Sequence, residues 1–269
     1  MGAAVESNKA KIACRVIEVL EFFDDDHREA TVMDIVRRYN RPQSSTSELL
    51  SSLVDLGLLY KDSVARSYSP TPRAALLGAA AQPEMIRNGR LTTIIDRLTA
   101  QTGLSVAVFG MVGLKAQIVT WRSGAEAPRM AGTPGFRGGL LELLTDTAVG
   151  WLLLSTIAQP RRDGVIRRLN AEAPADRKFI PSEMSAKVDA CRDHRFAIGP
   201  AGFGSNAEIC AVLLPGQPDN RPMAIGFVFE PSAQLDPAAL IDCLNEALQR
   251  APAAEPVAIP TIKQYSSAA

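Results

Sequence analysis

Apolar residues recur at helical spacing in the first forty residues of the chain and predict two helices there. Thr31 is followed three residues later by Asp34, which predicts a capped start for a short second helix ending at Tyr39. The first helix is predicted over about residues 10–23, and its apolar stripe consists of Ile12, Val16, Val19, Leu20 and Phe23.

A third helix is predicted within residues 42–60, where polar and apolar positions separate into two faces. Pro42 ends the preceding turn, Ser45 with Glu48 predicts a capping box, and Gly57 ends the helix. The apolar face comprises Leu49, Leu50, Leu53 and Leu56, and the outward face comprises Gln43, Thr46, Ser47 and Ser51. A short polar face without bulky side chains fits the DNA major groove, so a DNA-binding regulator is the leading hypothesis.

An extended segment follows this third helix. Residues 58–62 and 66–69 predict two strands joined by a turn and closed by prolines. An apolar stretch over residues 74–81 completes the unit. Three helices followed by a hairpin predict a winged helix-turn-helix domain over residues 1–81.

The remainder of the chain mixes helices and strands without a regular βαβ rhythm, which predicts an α+β sensor-like domain over residues 82–250. It opens with an amphipathic linker helix that ends at Gly103, and residues 251–269 predict a mobile tail. The predicted strands are 104–109, 116–121, 209–214 and 223–229. The predicted later helices are 140–157, 165–171, 182–194 and 237–250.

Composition excludes several classes of protein. An apolar content of 46% with 22% charged residues describes a soluble globular chain, and no apolar run approaches the roughly 18 residues of a membrane span. The N-terminus also lacks the order of a signal peptide. Four scattered cysteines and two histidines argue against structural zinc and disulfides, and fit a reducing cytoplasm. No nucleophile elbow or phosphate-binding glycine motif occurs, so we expect no catalytic residue, metal or cofactor.

The net charge is zero, with 29 basic and 29 acidic residues. Residues 1–80 carry ten Lys or Arg against eleven Asp or Glu, whereas segment 37–73 carries six against three. Binding to double-stranded DNA should therefore be modest for one chain and require an oligomer, with Arg41 and Arg66 as phosphate anchors. The predicted DNA contacts are Arg41, Gln43, Ser44, Ser45, Thr46, Ser47, Lys61, Arg66 and Tyr68.

The whole pattern resembles the IclR (isocitrate lyase regulator) family of bacterial transcription factors. The segments that carry the resemblance are 42–50, 56–62, 67–78, 98–103, 148–154 and 196–198. The first three resemble the family's recognition helix, wing and following linker, and the others resemble landmarks of its effector domain. The resemblance spans about residues 10–250. It implies a GAF-like α/β effector-binding domain, assembly into dimers or tetramers, and control of a catabolic operon by a small molecule.

Several positions depart from the family pattern. The wing turn over residues 62–65 lacks the usual glycine, Trp151 stands where lysine is usual, and Phe227 and Phe229 align with two hydroxyl residues. This exchange predicts an aromatic or otherwise apolar effector rather than a small carboxylate, bound between the helix bearing Trp151 and the strand bearing both phenylalanines. The predicted ligand contacts are Thr145, Asp146, Gly150, Trp151, Cys210, Phe227 and Phe229.

Structural interpretations compete with these functional ones. Trp151, Cys210 and the two phenylalanines would fit an ordinary hydrophobic core, and Glu48 could serve the helix cap alone. For the whole chain, the alternative is a winged-helix interaction or oligomerisation protein with weakened DNA binding and no effector. The net charge of −1 over residues 1–80 is consistent with that alternative.

Overall fold

The computed structural model describes residues 8–24, 26–125, 127–128, 135–218, 220–232 and 235–249. The chain divides into two compact units, with the boundary between Gln82 and Pro83. The predicted tail over residues 251–269 lies outside the described residues.

The N-terminal unit is a three-helix domain with a small hairpin. Its elements are α1 (Asn8–Phe22), α2 (Val32–Tyr39), α3 (Gln43–Asp55), β1 (Leu59–Asp62), β2 (Ser67–Pro70) and α4 (Pro72–Leu76), followed by a 3₁₀ turn (Ala79–Ala81). The two strands pair antiparallel with Leu59 opposite Pro70. The core is formed by Val19, Phe22, Ala30, Ile35, Leu50, Leu53, Leu58, Leu59 and Tyr68. Ile12, predicted on the apolar stripe of α1, is 56% exposed, because packing of that helix against the core begins at Val16.

The starts of α2 and α3 differ. The predicted capping box of α2 is confirmed, with the Thr31 hydroxyl accepting from the Asp34 N–H and the Asp34 carboxylate accepting from the Thr31 N–H. The predicted Ser45–Glu48 capping box of α3 is wrong. Pro42 is the N-cap in extended conformation, and the helix begins at Gln43, so Ser45 already lies in the first turn. Its hydroxyl donates back to the Pro42 carbonyl at 3.2 Å instead of capping an N–H group.

The C-terminal unit is built on one six-stranded antiparallel sheet with strand order β5-β4-β3-β8-β7-β6. The strands are β3 (Ser105–Val112), β4 (Lys115–Arg122), β5 (Leu141–Leu143), β6 (Phe196–Pro200), β7 (Glu208–Leu213) and β8 (Met223–Phe229). The helices are α5 (Glu84–Arg87), α6 (Arg90–Thr102), α7 (Ala148–Ser155), α8 (Arg161–Glu172), α9 (Pro181–His194) and α10 (Pro237–Gln249), with a 3₁₀ turn (Ala175–Arg177) before α9. Two of these strands, β5 and β6, are absent from the sequence-based assignment.

Helices cover both faces of this sheet, and each face has its own core. The first, here called the α7 face, packs against α7, α8 and α9. The second, the α10 face, packs against α6 and α10. Alternate residues of a strand point to opposite faces, so neighbouring residues of β8 belong to different cores: Val228 to the α7 face, Phe227 and Phe229 to the α10 face.

Candidate functional site

The outward face of α3 carries a polar stripe at helical spacing. Ser44, Glu48, Ser51 and Asp55 are all exposed on it, and Gln43 is exposed beside it at the first turn. The opposite side of the helix buries Leu50 and Leu53 in the core. The helix therefore presents short polar side chains and two acids to the outside.

Two predicted DNA contacts on α3 have other roles. Thr46 is only 1% exposed, and its hydroxyl donates to the Pro42 carbonyl at 2.9 Å. It lies one turn before Leu50, on the inner side of the helix, so its prediction as an outward residue is wrong. Ser45 is half-buried, and its hydroxyl accepts a hydrogen bond of 3.0 Å from the Arg15 guanidinium of α1.

Tyr68 of β2 is also placed differently from its prediction as a DNA contact. It is 4% exposed and belongs to the core of the N-terminal unit. Its backbone N–H and carbonyl pair with Ala30 at 2.8 and 2.9 Å, which ties the wing to the loop before α2. The Lys61 ammonium lies 5.9 Å from the ring centroid. Tyr68 thus supports the exposed Lys61 and is itself covered.

The turn of the wing is closed without glycine. The Asp62 carboxylate accepts from the N–H groups of Val64 and Ala65 at 2.7 and 2.9 Å, and these hydrogen bonds lower the pKa of that carboxyl. Arg66 takes the left-handed conformation, φ 55°, that glycine usually supplies. The result is a short turn with the Arg66 side chain exposed beside the exposed Lys61.

The cations near α3 fall into two groups. The Arg41 guanidinium donates to the Glu18 carboxylate of α1 at 2.7 Å, which offsets its charge. Arg37 and Arg38 in the last turn of α2 are exposed, as are Lys61 and Arg66 in the wing. The exposed group has its charge available to an external anion, whereas Arg41 already has a partner.

In the C-terminal unit, the structure separates the residues predicted to form one pocket. Phe227, Phe229 and Cys210 are fully buried on the α10 face, where Phe227 lies opposite Cys210 on the neighbouring strand. Trp151 lies on α7, which packs against the other face of the sheet. A pocket between Trp151 and the two phenylalanines is therefore wrong, because the sheet itself lies between them. Burial raises the pKa of the Cys210 thiol to about 12, as expected in an apolar core.

The other predicted ligand residues stay on the α7 face. The Trp151 indole N–H donates to the Thr145 carbonyl at 2.8 Å, and the Thr145 hydroxyl donates to the Asp146 carboxylate at 2.9 Å. Gly150 has a packing role, because a Cβ there would lie 2.1 Å from the Leu144 carbonyl oxygen. Thr145, Asp146 and Trp151 are thus neighbours, and Gly150 lets α7 approach the strand before it.

Four aromatic rings form a cluster on the α7 face that the sequence reasoning missed. Trp121 stacks on Phe136 with centroids 4.7 Å apart, and Phe203 lies 6.2 Å from both Phe136 and Phe109. Phe203 holds a left-handed backbone, φ 55°, in the loop between β6 and β7. Non-glycine residues adopt this conformation rarely, and such strain concentrates at ligand sites. The signal in the sequence was weak, because the rings come from four separate segments.

A charged group borders this aromatic cluster. The Phe203 backbone N–H donates to the Glu142 carboxylate at 3.0 Å, which places the acid against the loop that carries the ring. The Arg177 guanidinium donates to Glu142 at 3.3 Å and to Asp146 at 2.8 Å, and the Asp146 carboxylate raises the pKa of Arg177. Two carboxylates and one guanidinium give the group a net charge of −1 when all are ionised.

A buried hydroxyl completes the site. Thr147, the N-cap of α7, is fully buried, and within the described part of the chain its Oγ1 has no hydrogen-bond partner. Gly202 packs against it: a Cβ there would lie 3.2 Å from the Thr147 Cβ and 3.3 Å from the Glu142 Cγ. The loop bearing Phe203 therefore lies directly over the hydroxyl and the acid. We call Phe109, Trp121, Phe136, Phe203, Glu142, Asp146, Thr147 and Arg177 together the aromatic–acid site.

Two kinds of feature are absent from the described residues. None of their helices combines the length and hydropathy needed to cross a bilayer. Within the same ranges, no three His, Cys, Asp or Glu side chains lie together in a way that could hold a metal ion.

Comparison with known families identifies the N-terminal unit. Residues 13–63, which span most of α1 through the end of β1, match the family model described as the IclR helix-turn-helix domain. This segment is similar to the DNA-binding domain of IclR proteins, as the resemblance in the sequence indicated.

Solved structures of IclR proteins have the same fold along nearly the whole chain. An IclR homologue from Microbacterium hydrocarbonoxydans, complexed with 4-hydroxybenzoate, is 17% identical, with TM-score 0.59, and covers 88% of this chain and 96% of its own. The IclR protein of Thermotoga maritima is 14% identical, with TM-score 0.56, and the alignment covers 89% of this chain and 94% of that one. A regulator from Alicyclobacillus acidocaldarius is 18% identical, with TM-score 0.55, and the alignment covers 91% of this chain and 96% of that one. No curated protein matches the chain. The α+β fold expected from the sequence is confirmed.

Proposed function

We propose that this chain is a ligand-responsive regulator of the IclR family that acts in the cytoplasm, reads its operator with α3 and senses an aromatic small molecule at the aromatic–acid site. The observation that carries the proposal is the juxtaposition of four aromatic rings with the Glu142–Arg177–Asp146 group and the buried Thr147 hydroxyl. Small-molecule sites combine mostly apolar walls with a few convergent polar groups, which is the composition of this site.

The DNA-reading surface is Gln43, Ser44, Ser47, Glu48 and Ser51. These residues lie on or beside the outward stripe of α3, and their short side chains allow the helix to enter the major groove. Since Glu48 caps nothing, its exposed carboxylate is available to accept a hydrogen bond from a cytosine amino group. Exposed Arg37, Arg38, Lys61 and Arg66 would contact phosphates on both sides.

The same surface favours binding as a homodimer or a higher oligomer. One chain offers few exposed cations, and Glu48 and Asp55 on α3 repel the phosphate backbone. Two copies on a palindromic operator would double the phosphate contacts and the base contacts together.

The chemistry of the aromatic–acid site selects the ligand class. Its four rings favour contact with an aromatic ligand, and its net negative charge disfavours a third carboxylate beside Glu142 and Asp146. A phenolic hydroxyl or aromatic amine could donate to either acid, and a ligand acceptor could satisfy the Thr147 hydroxyl, which costs free energy while unpartnered. We therefore infer a phenol-like effector. The Microbacterium homologue was crystallised with 4-hydroxybenzoate, which has a phenolic hydroxyl in addition to its carboxylate.

The DNA half of the proposal is tested by mobility shift with the chain's own upstream intergenic DNA. Gln43→Ala combined with Ser44→Ala should weaken binding at least tenfold, since each base contact contributes about 1–3 kcal/mol. Ser52→Ala on the flank of α3 is the matched control and should bind as the wild type. Equal affinity of the double variant and the control would contradict the assignment of the surface.

The role of Glu48 is tested separately by selecting preferred sequences from a randomised DNA pool. Glu48→Gln should change the preferred base at one position of each half-site and strengthen binding to non-specific DNA, because a negative charge is removed. Asp55→Asn removes the same charge at the far end of α3 and should change only the non-specific binding. Identical base preferences in all three proteins would remove Glu48 from base recognition.

The effector half is tested by calorimetry with phenol, 4-hydroxybenzoate, benzoate and glyoxylate. The phenolic compounds should bind more tightly than benzoate, and glyoxylate should bind weakest. Glu142→Gln should weaken binding of phenol about tenfold, since a hydrogen bond to a charged acceptor is worth about 1.5–3 kcal/mol. Glu208→Gln on β7, outside the site, is the control. Tight binding of glyoxylate alone would reject the proposed ligand class.

A second candidate is a winged-helix interaction protein with weak DNA affinity. The observations that favour it are the two acids on the outward stripe of α3 and the neutralisation of Arg41 by Glu18. The mobility-shift experiment separates the two candidates, since the interaction protein would bind upstream DNA no more tightly than unrelated DNA of the same length.

A further inference from the structure

A groove of about 810 Å³ opens at the end of β7, away from the aromatic–acid site. Its walls come from the last residues of α7, α9 and α10 and from the strand end itself. No residue that lines it belongs to the aromatic–acid site. A volume in this range accommodates a small organic molecule.

The floor of the groove is apolar. Val212, Leu214 and Leu248 line it together with Cys191, whose burial raises the pKa of its thiol to about 11. The thiol is therefore protonated at neutral pH and belongs to the uncharged floor. Such a floor favours the hydrocarbon body of a ligand over a strongly hydrated ion.

The rim carries two arginines with different surroundings. Arg192 has acids beside it, with Asp189 at 3.5 Å and Asp193 at 3.4 Å. Arg195 is exposed, and among the described residues its guanidinium has no ion pair or side-chain hydrogen bond. It also occupies the left-handed C-cap of α9, φ 65°, a position where glycine or asparagine is usual. A cation at a helix C-terminus is favourable to the helix dipole, and the exposed guanidinium of Arg195 also lies at the rim of the groove.

We propose that this groove binds an amphipathic organic anion, a carboxylate or sulfonate carried on an aromatic or aliphatic body. The body lies on Val212, Leu214 and Leu248, and the anionic group accepts hydrogen bonds from the Arg195 guanidinium. The Asn245 side-chain amide on α10 provides a second donor at the rim. The groove is thus a second small-molecule site, with a charge preference opposite to that of the aromatic–acid site.

The test measures binding of a fluorescent probe, 8-anilinonaphthalene-1-sulfonate, to the full-length chain. The probe combines an aromatic body with a sulfonate. Arg195→Gln should raise the Kd of the probe about fivefold, since exposed charge pairs are partly screened. Arg168→Gln on α8, outside the groove, is the matched control and should leave the Kd within twofold. The wild-type affinity should also fall with added salt.

A second pair of variants tests the groove by steric exclusion. Asn245→Trp places a large side chain at the rim and should abolish the saturable fluorescence increase. Asp242→Trp, one turn earlier on α10 and outside the groove, should leave it unchanged. Both positions are exposed, and unchanged melting temperatures would show that the fold is retained.

Two outcomes overturn the proposal. A Kd that neither Arg195→Gln nor Asn245→Trp changes would place the probe elsewhere on the chain. Binding that appears only in a variant ending at Gln249 would mean that the chain beyond α10 fills the groove. Neither outcome bears on the phenol-like effector, because Glu142→Gln tests that site independently.

Discussion

The two units of this protein place their candidate sites in opposite environments. The DNA-reading surface is the exposed side of one helix, α3, whose inner side is fixed by Leu50 and Leu53. The aromatic–acid site lies on one face of a sheet that is covered by helices on both faces. A single local periodicity determines which residues of the helix are exposed. For the sheet, periodicity determines which residues share a face but not what covers that face.

The largest expected effect comes from Phe227→Ala, which tests whether Phe227 belongs to the core of the α10 face. Phe227 is fully buried between α6, α10 and the sheet, so truncation should lower the free energy of unfolding by about 3–5 kcal/mol. Urea denaturation followed by circular dichroism measures it.

Phe136→Leu is the matched variant on the other face, at the edge of the aromatic cluster. It retains most of the volume and should cost less than about 1.5 kcal/mol. A small loss of stability for Phe227→Ala, accompanied by loss of phenol binding, would mean that Phe227 lines the ligand site. It would contradict the assignment of Phe227 to the α10 face.

The sequence pattern was sufficient to predict strand β8, but not to predict which helices pack against each of its faces. The strand was predicted with the bounds observed, and Phe227 and Phe229 do share a face. Both faces of β8 are apolar because helices cover both, so the pattern held no clue to whether α7 or α10 faces Phe227. That information lies in the strand order, and the edge strands β5 and β6 were not recognised. Phe203 was missed because its role depends on a left-handed loop residue that no periodicity predicts.

The error on α3 was of a smaller kind. The helix was predicted in the correct place, and Leu50 and Leu53 are buried as expected, but Leu56, predicted on the same apolar face, is 60% exposed at the C-cap. The start of the helix was also assigned to Ser45 instead of Pro42. That assignment gave Glu48 a capping role it does not have, and left Thr46 on the outer face, whereas it packs inward. Serine and glutamate three residues apart satisfy the capping pattern wherever they occur, so the pattern alone could not choose between an N-cap and a first turn.

The two helix starts therefore provide the next test. Thr31→Ala should lower the free energy of unfolding by about 1 kcal/mol, because the hydroxyl caps α2. Ser45→Ala should cost clearly less, about 0.5 kcal/mol, since it loses only a hydrogen bond to Arg15 and one to a carbonyl. Equal losses of unfolding free energy in the two variants would mean that Ser45 caps α3 as Thr31 caps α2.

The same cap has a predictable dependence on pH. The hydrogen bonds from Thr31 hold the pKa of Asp34 below its usual value. A carboxyl with a lowered folded-state pKa stabilises the fold above its unfolded pKa of about 3.9, and this stability is lost as pH falls through the folded value. Thr31→Ala should therefore reduce the loss of stability on acidification below about pH 4. If the variant loses as much stability below pH 4 as the wild type does, the Thr31 cap does not set the pKa of Asp34.

The smallest expected effects concern phosphate contacts. Arg66→Gln should reduce the slope of log affinity against log salt by about 0.9 for each bound chain, the value for one phosphate contact. Arg41→Gln should change it by less than half as much, because Glu18 already offsets that charge at 2.7 Å. Mobility shifts at several salt concentrations give both slopes. A larger change for Arg41 would mean that its pair with Glu18 opens on DNA.

The most direct test of the account follows the fluorescence of Trp121, which stacks on Phe136 in the aromatic–acid site. The chain has two tryptophans, so Trp151→Phe leaves Trp121 as the only reporter. Titration of that variant with phenol should give a saturable change in emission, with the Kd measured by calorimetry. The change should disappear when Phe203→Leu is added while the melting temperature is retained. Saturable binding by calorimetry with no change at Trp121, or with a change that Phe203→Leu leaves intact, would contradict the location of the effector site.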